Sequence, residues 1–301
     1  MFPPRRLYTV SLAHGHVLRL GDRPLVMGIL NVTPDSFADA NHCADPESAI
    51  AAALRLEADG ADLIDVGGES TRPGADPVPV DEELRRVLPV LNALRGRLRV
   101  PISVDTYKSD VARAAIGAGA SLVNDVSGLD RDPALARVVA DTGAALVLMH
   151  SRGRPKTMYA EASYGDVAAD VAAELQDSIR RAAAQGVPRD RVIVDPGVGF
   201  AKRAAHSYGV LARLPDLATA LDRPMLVGPS RKSFMTDAVG DRPAPERDWG
   251  TAAAVTAAVL AGAHILRVHA VAEMAQVVRV AEQIRLAGPT TNDERRTTND
   301  Y

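Results

Sequence analysis

The chain has 301 residues, 47% of them hydrophobic and 24% charged, with a formal net charge of −3. Such a length and apolar content suit one large α/β domain, and the lack of a basic surplus argues against generic nucleic-acid binding. A single cysteine, Cys43, excludes an intramolecular disulfide framework and a cysteine-built zinc site.

Residues 1–20 contain two adjacent arginines but no long apolar stretch behind them, so they do not read as a signal peptide. No run of about 18 apolar residues occurs, and the expectation is a cytoplasmic protein without a membrane span. Residues 7–20 alternate loosely around His14-Gly15-His16, which predicts a short leading hairpin. Eight apolar runs follow, each ending in a polar or charged cluster: PLVMGILN, LIDVGGEST, ISVD, LVND, ALVLMH, VIVDPG, MLVGPSRK and ILRVH. Helical stretches separate them. This is the pattern of a (β/α)8 TIM barrel, whose buried parallel strands gather chemistry at their C-terminal ends. In that fold the hairpin can close the opposite end.

The helices are expected from Pro46, capped by Asp45, to Gly60, then over 81–94, 108–118, 133–141, 167–185, 247–261 and 271–286. Pro89 predicts a kink or break in the second of these. Residues 1–288 form the single expected domain, and polar, aperiodic 289–301 read as a disordered tail.

Four constellations carry candidate chemistry. Residues 27–40, MGILNVTPDSFADA, bring Asn31 to a strand end and follow it with Asp35, a hard oxygen ligand suited to magnesium. Pro-Asp-Ser is also ordinary turn chemistry. Residues 65–75, DVGGESTRPGA, offer Thr71 and Arg72 as anion donors on a glycine-rich loop with a Pro73-Gly74 corner. Asp105, Asn124, Asp125 and Asp195 end apolar strands, where a carboxylate is costly without partners. A ligand edge with several N–H donors, such as an amino-pyrimidinone, would satisfy Asn124 and Asp195. For Asp125 a structural role is favoured.

The fourth constellation joins GPSRKSF, with Lys232 and Ser233, to RVH, where strand alternation puts Arg267 and His269 on one face. Both can donate to a pyrophosphate, and Arg does so through a planar fork. His150, His206 and His264 read as structural. The chain has no HExxH, GxSxG or Walker lysine loop, which weakens protease, hydrolase and NTPase readings.

Taken together, MGILNVTPDSF, GGESTRPGA, SVDT, NDVSG, LMHSRGRPKTM, DPGVGFAK, GPSRKSF and RVHAV resemble the dihydropteroate synthase family, in order, over about residues 22–285. The resemblance implies a homodimeric TIM-barrel transferase of folate biosynthesis. Its substrates would be 6-hydroxymethyl-7,8-dihydropterin diphosphate and 4-aminobenzoate, and its products 7,8-dihydropteroate and pyrophosphate. It implies a pterin pocket of Asp105, Asn124, Asp195 and Lys232, walled by Met149 and Phe200. Asn31, Thr71, Arg72, Arg267 and His269 would hold the diphosphate. Phe37, Pro73 and Ser233 would frame the aminobenzoate, where sulfonamides compete. Asn31 and Asp35 would bind Mg2+, and the implied reaction is dissociative. Asp105, Asp35, Lys232, Arg267 and His269 would carry catalysis.

The chain departs from the family at Ala38-Asp39-Ala40-Asn41, where Ser-Asp-Gly-Gly is common, and mildly at Val198. A pterin-binding methyltransferase domain or a catalytically silent paralogue remain the alternatives.

Overall fold

A computed structural model describes residues 2–33, 46–72, 74–154 and 157–288. Asp35, Phe37, Pro73 and the expected tail at 289–301 lie outside the described residues. The chain opens with strands β1 (Tyr8–Ser11) and β2 (Val17–Leu20), paired antiparallel as the expected hairpin. The barrel strands then follow. They are β3 (Leu25–Asn31), β4 (Leu63–Gly67), β5 (Ile102–Asp105), β6 (Leu122–Asp125), β7 (Ala145–Met149), β8 (Val192–Asp195), β9 (Leu226–Val227) and β10 (Ile265–Val268). All their pairings are parallel, in the order β8-β7-β6-β5-β4-β3-β10-β9, and a parallel bridge from Val194 to Met225 closes the ring.

Alternation along each strand sorts its side chains into two sets. Outward residues such as Ile64, Val66, Val104, Val123, Leu146, Leu148, Val194 and Leu266 join the core beneath the helices. Inward residues at the strand starts form a separate apolar layer: Leu25, Met27, Leu63, Leu122, Ala145, Val147, Ile193, Leu226 and Ile265. Val10, Leu12, Leu18 and Leu20 of the hairpin pack into this layer, so the hairpin plugs the N-terminal end of the barrel. One step up each strand, the inward set turns polar, with Asp65, Ser103, Asp105, Asn124, Asp195 and Arg267. The barrel is thus dry at one end and charged at the other.

The helices cover the strands as expected for amphipathic segments. They include α1 (Pro46–Ala58), which buries Ala49, Ala52, Ala53 and Leu56, and α2 (Val80–Leu94). Contrary to expectation, α2 runs through Pro89 as one helix. Its stripe of Val87, Val90, Leu91 and Leu94 is fully buried, while Pro89 is exposed, so water can solvate the carbonyl that lost its donor. Helix α3 (Ser109–Gly117) follows β5, and α4 (Ala134–Thr142) ends on Gly143, whose φ of 74° fits a left-handed cap. The Asp166 carboxylate caps α5 (Val167–Ala184), accepting from the Ala168 and Ala169 amides at 3.0 Å.

Two helices not expected from sequence, α6 (Ala204–Ala212) and α7 (Leu214–Leu221), stand between β8 and β9. A short α8 (Thr236–Val239), then α9 (Asp248–Leu260) and α10 (Val271–Ala287), complete the described helices.

Candidate active site

The C-terminal ends of the strands surround a cavity of about 480 Å³. Of the residues expected from sequence, Asn31, Thr71, Arg72, Asp105, Phe200, Lys232, Ser233, Arg267 and His269 line it. Ile29 and Asn31 continue the inward register of Leu25 and Met27, which explains how one strand serves both the dry floor and the site.

At the centre lies a charged cluster. Arg267 on β10 donates through Nε to the Asp65 carboxylate at 2.6 Å and through Nη2 to the Asp105 carboxylate at 2.7 Å. Asn124 donates its side-chain amide to the same Asp65 oxygen at 2.9 Å. Asp65 and Asp105 each keep one buried oxygen without a partner, Oδ1 in both cases. Of the two, only Asp105 lines the cavity, so its unpaired oxygen is the one within reach of a ligand's donor, while Asp65 is fully buried behind it.

Burial raises the Asp105 carboxyl to about 7, opposed by the Arg267 charge and reinforced by Asp65. Asp195 ends β8 beside Met149 in the ladder and accepts from the Gly197 amide at 2.7 Å. Its carboxyl is also raised by burial, against the pull of Lys232. Burial lowers the Lys232 ammonium to about 8, while Asp195 holds it up.

Lys232 lies over the Phe200 ring, with Nζ 4.4 Å from its centroid, and donates to the Val198 carbonyl. Lys232 and Phe200, in contact with each other, share the cavity wall with the Asp105 carboxylate, a set of groups that suits a heterocycle rich in N–H groups. Toward the mouth, Ser230 hydrogen-bonds His269 Nδ1 at 2.9 Å and its hydroxyl accepts from the His269 amide at 3.1 Å, fixing that imidazole. Arg72, Arg231 and Arg247 join His269 around the opening, giving the rim the positive character an anionic substrate needs.

Arg231 is held by Asp248 through paired 2.8 Å contacts, and its φ is 57°. The following Lys232 and Ser233 line the cavity. Ser233 lies 3.3 Å from the Tyr159 hydroxyl.

The remaining expectations fall unevenly. Asn124 and Asp195 belong to the inward polar layer at the base of the site, reached through Arg267 and Lys232. Met149 is buried on the inward register of β7 but does not line the main cavity. Asp125 is structural, its carboxylate accepting from Ser127 and from the Leu129 amide. Sequence reading missed Asp65, Tyr159, Ser230 and Arg247. Of these, Asp65 carried a usable signal: a carboxylate in the middle of an apolar strand must find a partner.

The Mg2+ expectation rests on Asn31 and Asp35. Among the described residues, no group of three or more His, Cys, Asp or Glu side chains is placed to hold a metal. Asn31 lines the cavity and offers an amide oxygen. Such a sparse protein donor set fits Mg2+, which keeps waters and takes most of its ligands from phosphate.

A closed parallel barrel with an aromatic wall, paired carboxylates and a cationic rim defines an α/β-barrel enzyme for an N–H-rich heterocycle bearing an anion. Residues 27–269 match the family described as pterin binding enzyme. A dihydropteroate synthase of Synechocystis sp. is 45% identical over 265 residues, covering 88% of this chain and 91% of that one.

Among solved structures, a Yersinia pestis dihydropteroate synthase with a sulfonamide drug superposes with a TM-score of 0.87 at 42% identity. It covers 93% of this chain and 100% of that one. The Xanthomonas albilineans dihydropteroate synthase with 4-aminobenzoic acid gives 0.84 at 44% identity, with the same coverage. The chain belongs to the dihydropteroate synthase family.

Proposed function

We propose that the chain condenses 6-hydroxymethyl-7,8-dihydropterin diphosphate with 4-aminobenzoate, giving 7,8-dihydropteroate and pyrophosphate. The observation that carries this reading is the central cluster, in which Arg267 bridges Asp65 and Asp105 while each carboxylate keeps one buried acceptor. The Asp105 acceptor, with Asn124 and Asp195, matches the amino-pyrimidinone edge of a pterin. The Phe200 ring and the Lys232 cation stacked on it border the same cavity. Arg267, His269, Thr71 and Arg72 receive the diphosphate. Ser233 meets the aminobenzoate carboxylate near the mouth, and Phe37 and Pro73 frame its ring.

The chemistry follows from charge placement. As the bond to the diphosphate breaks, negative charge grows on the leaving group beside the cationic rim. Positive charge grows on the pterin beside Asp105, which in its ionised form stabilises it. The aniline nitrogen then attacks the exocyclic carbon and releases its proton. Preorganised dipoles and positioning supply the rate, with no covalent bond to the protein. Mg2+, held by Asn31 and Asp35 with phosphate oxygens, would neutralise charge on the departing pyrophosphate.

Two further readings complete the proposal. Val280, Ile284 and Leu286 on α10 are exposed apolar residues, which supports a homodimer, testable by light scattering on the eluted protein. No helix among the described residues is long and apolar enough to cross a membrane. The single cysteine, which allows no intramolecular disulfide, supports a cytoplasmic setting.

The deciding experiment measures pyrophosphate release from the dihydropterin diphosphate with and without 4-aminobenzoate. Release that needs aminobenzoate, yields dihydropteroate and is lost in Asp105→Ala and Arg267→Ala carries the reading. Pterin binding without turnover would overturn it.

A further inference from the structure

The turn after β8, residues 197–201, forms the Phe200 side of the site, and its backbone conformation is improbable on its own. Gly197 and Gly199 have φ of 66° and 80°, and Ala201, which has a side chain, has 48°. A Cβ at Gly197 would lie 1.9 Å from the His150 carbonyl oxygen, so the turn is also pressed against β7. Something must hold it.

Nearly every carbonyl of the turn is bound by a side chain. Lys202 Nζ donates to the Gly197 and Phe200 carbonyls, each at 3.1 Å, Lys232 donates to that of Val198, and the Tyr164 hydroxyl donates to that of Ala201 at 2.9 Å. Two of these tethers come from Lys202 alone. Its side chain is 1% exposed, among the largest fully buried side chains of the protein. It is not placed in the cavity wall.

Behind Lys202 the chain of contacts continues. Its third hydrogen bond, 2.7 Å long, goes to His150 Nδ1, and His150 Nε2 lies 3.0 Å from Glu174 on α5. Burial and the adjacent Lys202 charge hold His150 down to about 4, so the imidazole is neutral. The partners then assign its tautomer: Nδ1 accepts from Lys202, and Nε2–H donates to the Glu174 carboxylate. Burial lowers the Lys202 ammonium to about 7 while the Asp195 charge holds it up, and in its protonated form the amine donates to two carbonyls and an imidazole nitrogen together. Arg152 anchors Glu174 from the far side and stacks on Tyr164, 4.0 Å from the ring centroid. The post therefore runs from a half-exposed helix surface to the back of the pterin site.

We propose that Lys202, braced by His150 and Glu174, is a positioning residue for pterin recognition: it holds the 197–201 turn in the shape that presents Phe200 and seats Lys232. The proposal rests on the function proposed above. Lys202 acts through Phe200 and the Val198 carbonyl, not by touching substrate. Its effect should therefore fall on the pterin and spare the aminobenzoate.

The test uses the full-length protein and Lys202→Met, which keeps the volume and removes every donor. Equilibrium binding of the dihydropterin diphosphate is read by fluorescence quenching, and KM for each substrate by turnover. The expected result is a rise of about tenfold or more in pterin Kd and KM, from displaced contacts, with the aminobenzoate KM within about twofold. In a Phe200→Leu background the same substitution should cost less than in the wild type, since part of its effect runs through Phe200.

Unchanged pterin binding in folded Lys202→Met, an equal rise in both KM values, or additive effects with Phe200→Leu would each overturn the proposal. Should Lys202→Met fail to fold, Glu174→Ala removes the outer brace at a half-exposed site. A smaller rise in pterin Kd alone is expected there, and no change overturns the proposal. Wild-type protein that binds pterin but makes no dihydropteroate would refute the proposed reaction and leave the binding arm intact.

Discussion

Asp105 carries the negative charge that pairs with Arg267 only when ionised, and burial has moved its carboxyl to about 7. The pH dependence follows with a definite sign. Below that value protonation removes the charge that pairs with Arg267 and faces the pterin, so kcat/KM for the pterin falls by about tenfold per pH unit. Above it activity peaks and then falls again as Lys232, lowered by burial to about 8, loses its proton. Asp105→Asn should erase the acidic limb and lower kcat/KM by about 10–100-fold, the worth of a hydrogen bond to a charged group. A pH–rate series on both proteins checks this.

Part of the cluster was legible because Asp105, Asn124, Asp195 and Arg267 lie at the C-terminal ends of their strands and Lys232 on the loop after β9, where a barrel displays chemistry. Asp65 was not, because the glycine-rich loop after it drew attention to the strand end. Only the inward register of β4 shows that Asp65 stands level with Ser103 and beneath Arg267. Asp35, Phe37 and Pro73 remain sequence expectations.

At the scale of elements, apolar runs ending in polar clusters were sufficient to place all eight barrel strands, since burial on both faces leaves no other composition. Helices α6 and α7 escaped notice because Gly209 and Pro215 interrupt the segment and no side chain caps either start. Helix α2 shows burial overriding local propensity. Pro89→Ala should restore a donor for the Arg85 carbonyl and stabilise the protein by about 1 kcal/mol, after the added freedom of the unfolded chain is subtracted. Denaturant midpoints measure it. Gly197→Ala should do the reverse. A methyl group driven toward the His150 carbonyl, on a residue with positive φ, should cost about 3 kcal/mol or more and disturb pterin binding with it.

The whole molecule depends on contacts between its two ends. Arg5 is buried against α10, donating to both Glu282 carboxylate oxygens at 2.8 Å and to the Ala263 carbonyl at 2.9 Å. Arg5→Met would strand the buried Glu282 carboxylate and should cost about 3–5 kcal/mol, read as a fall in the thermal midpoint. Strand β10 likewise completes the barrel by pairing with β3, from Ile265 beside Leu25 to Val268 beside Gly28.

That closure has a consequence for synthesis on the ribosome. β3 leaves the exit tunnel long before its partner β10, roughly 240 residues behind it. At ordinary translation speeds, that interval is roughly 12–50 s. Throughout it one edge of β3 lacks its partner and the hairpin's apolar side has no complete floor to plug. Over that interval the nascent chain exposes apolar surface of the kind that aggregates unless it is shielded. A stop codon placed before β10 should yield aggregates, not a smaller enzyme.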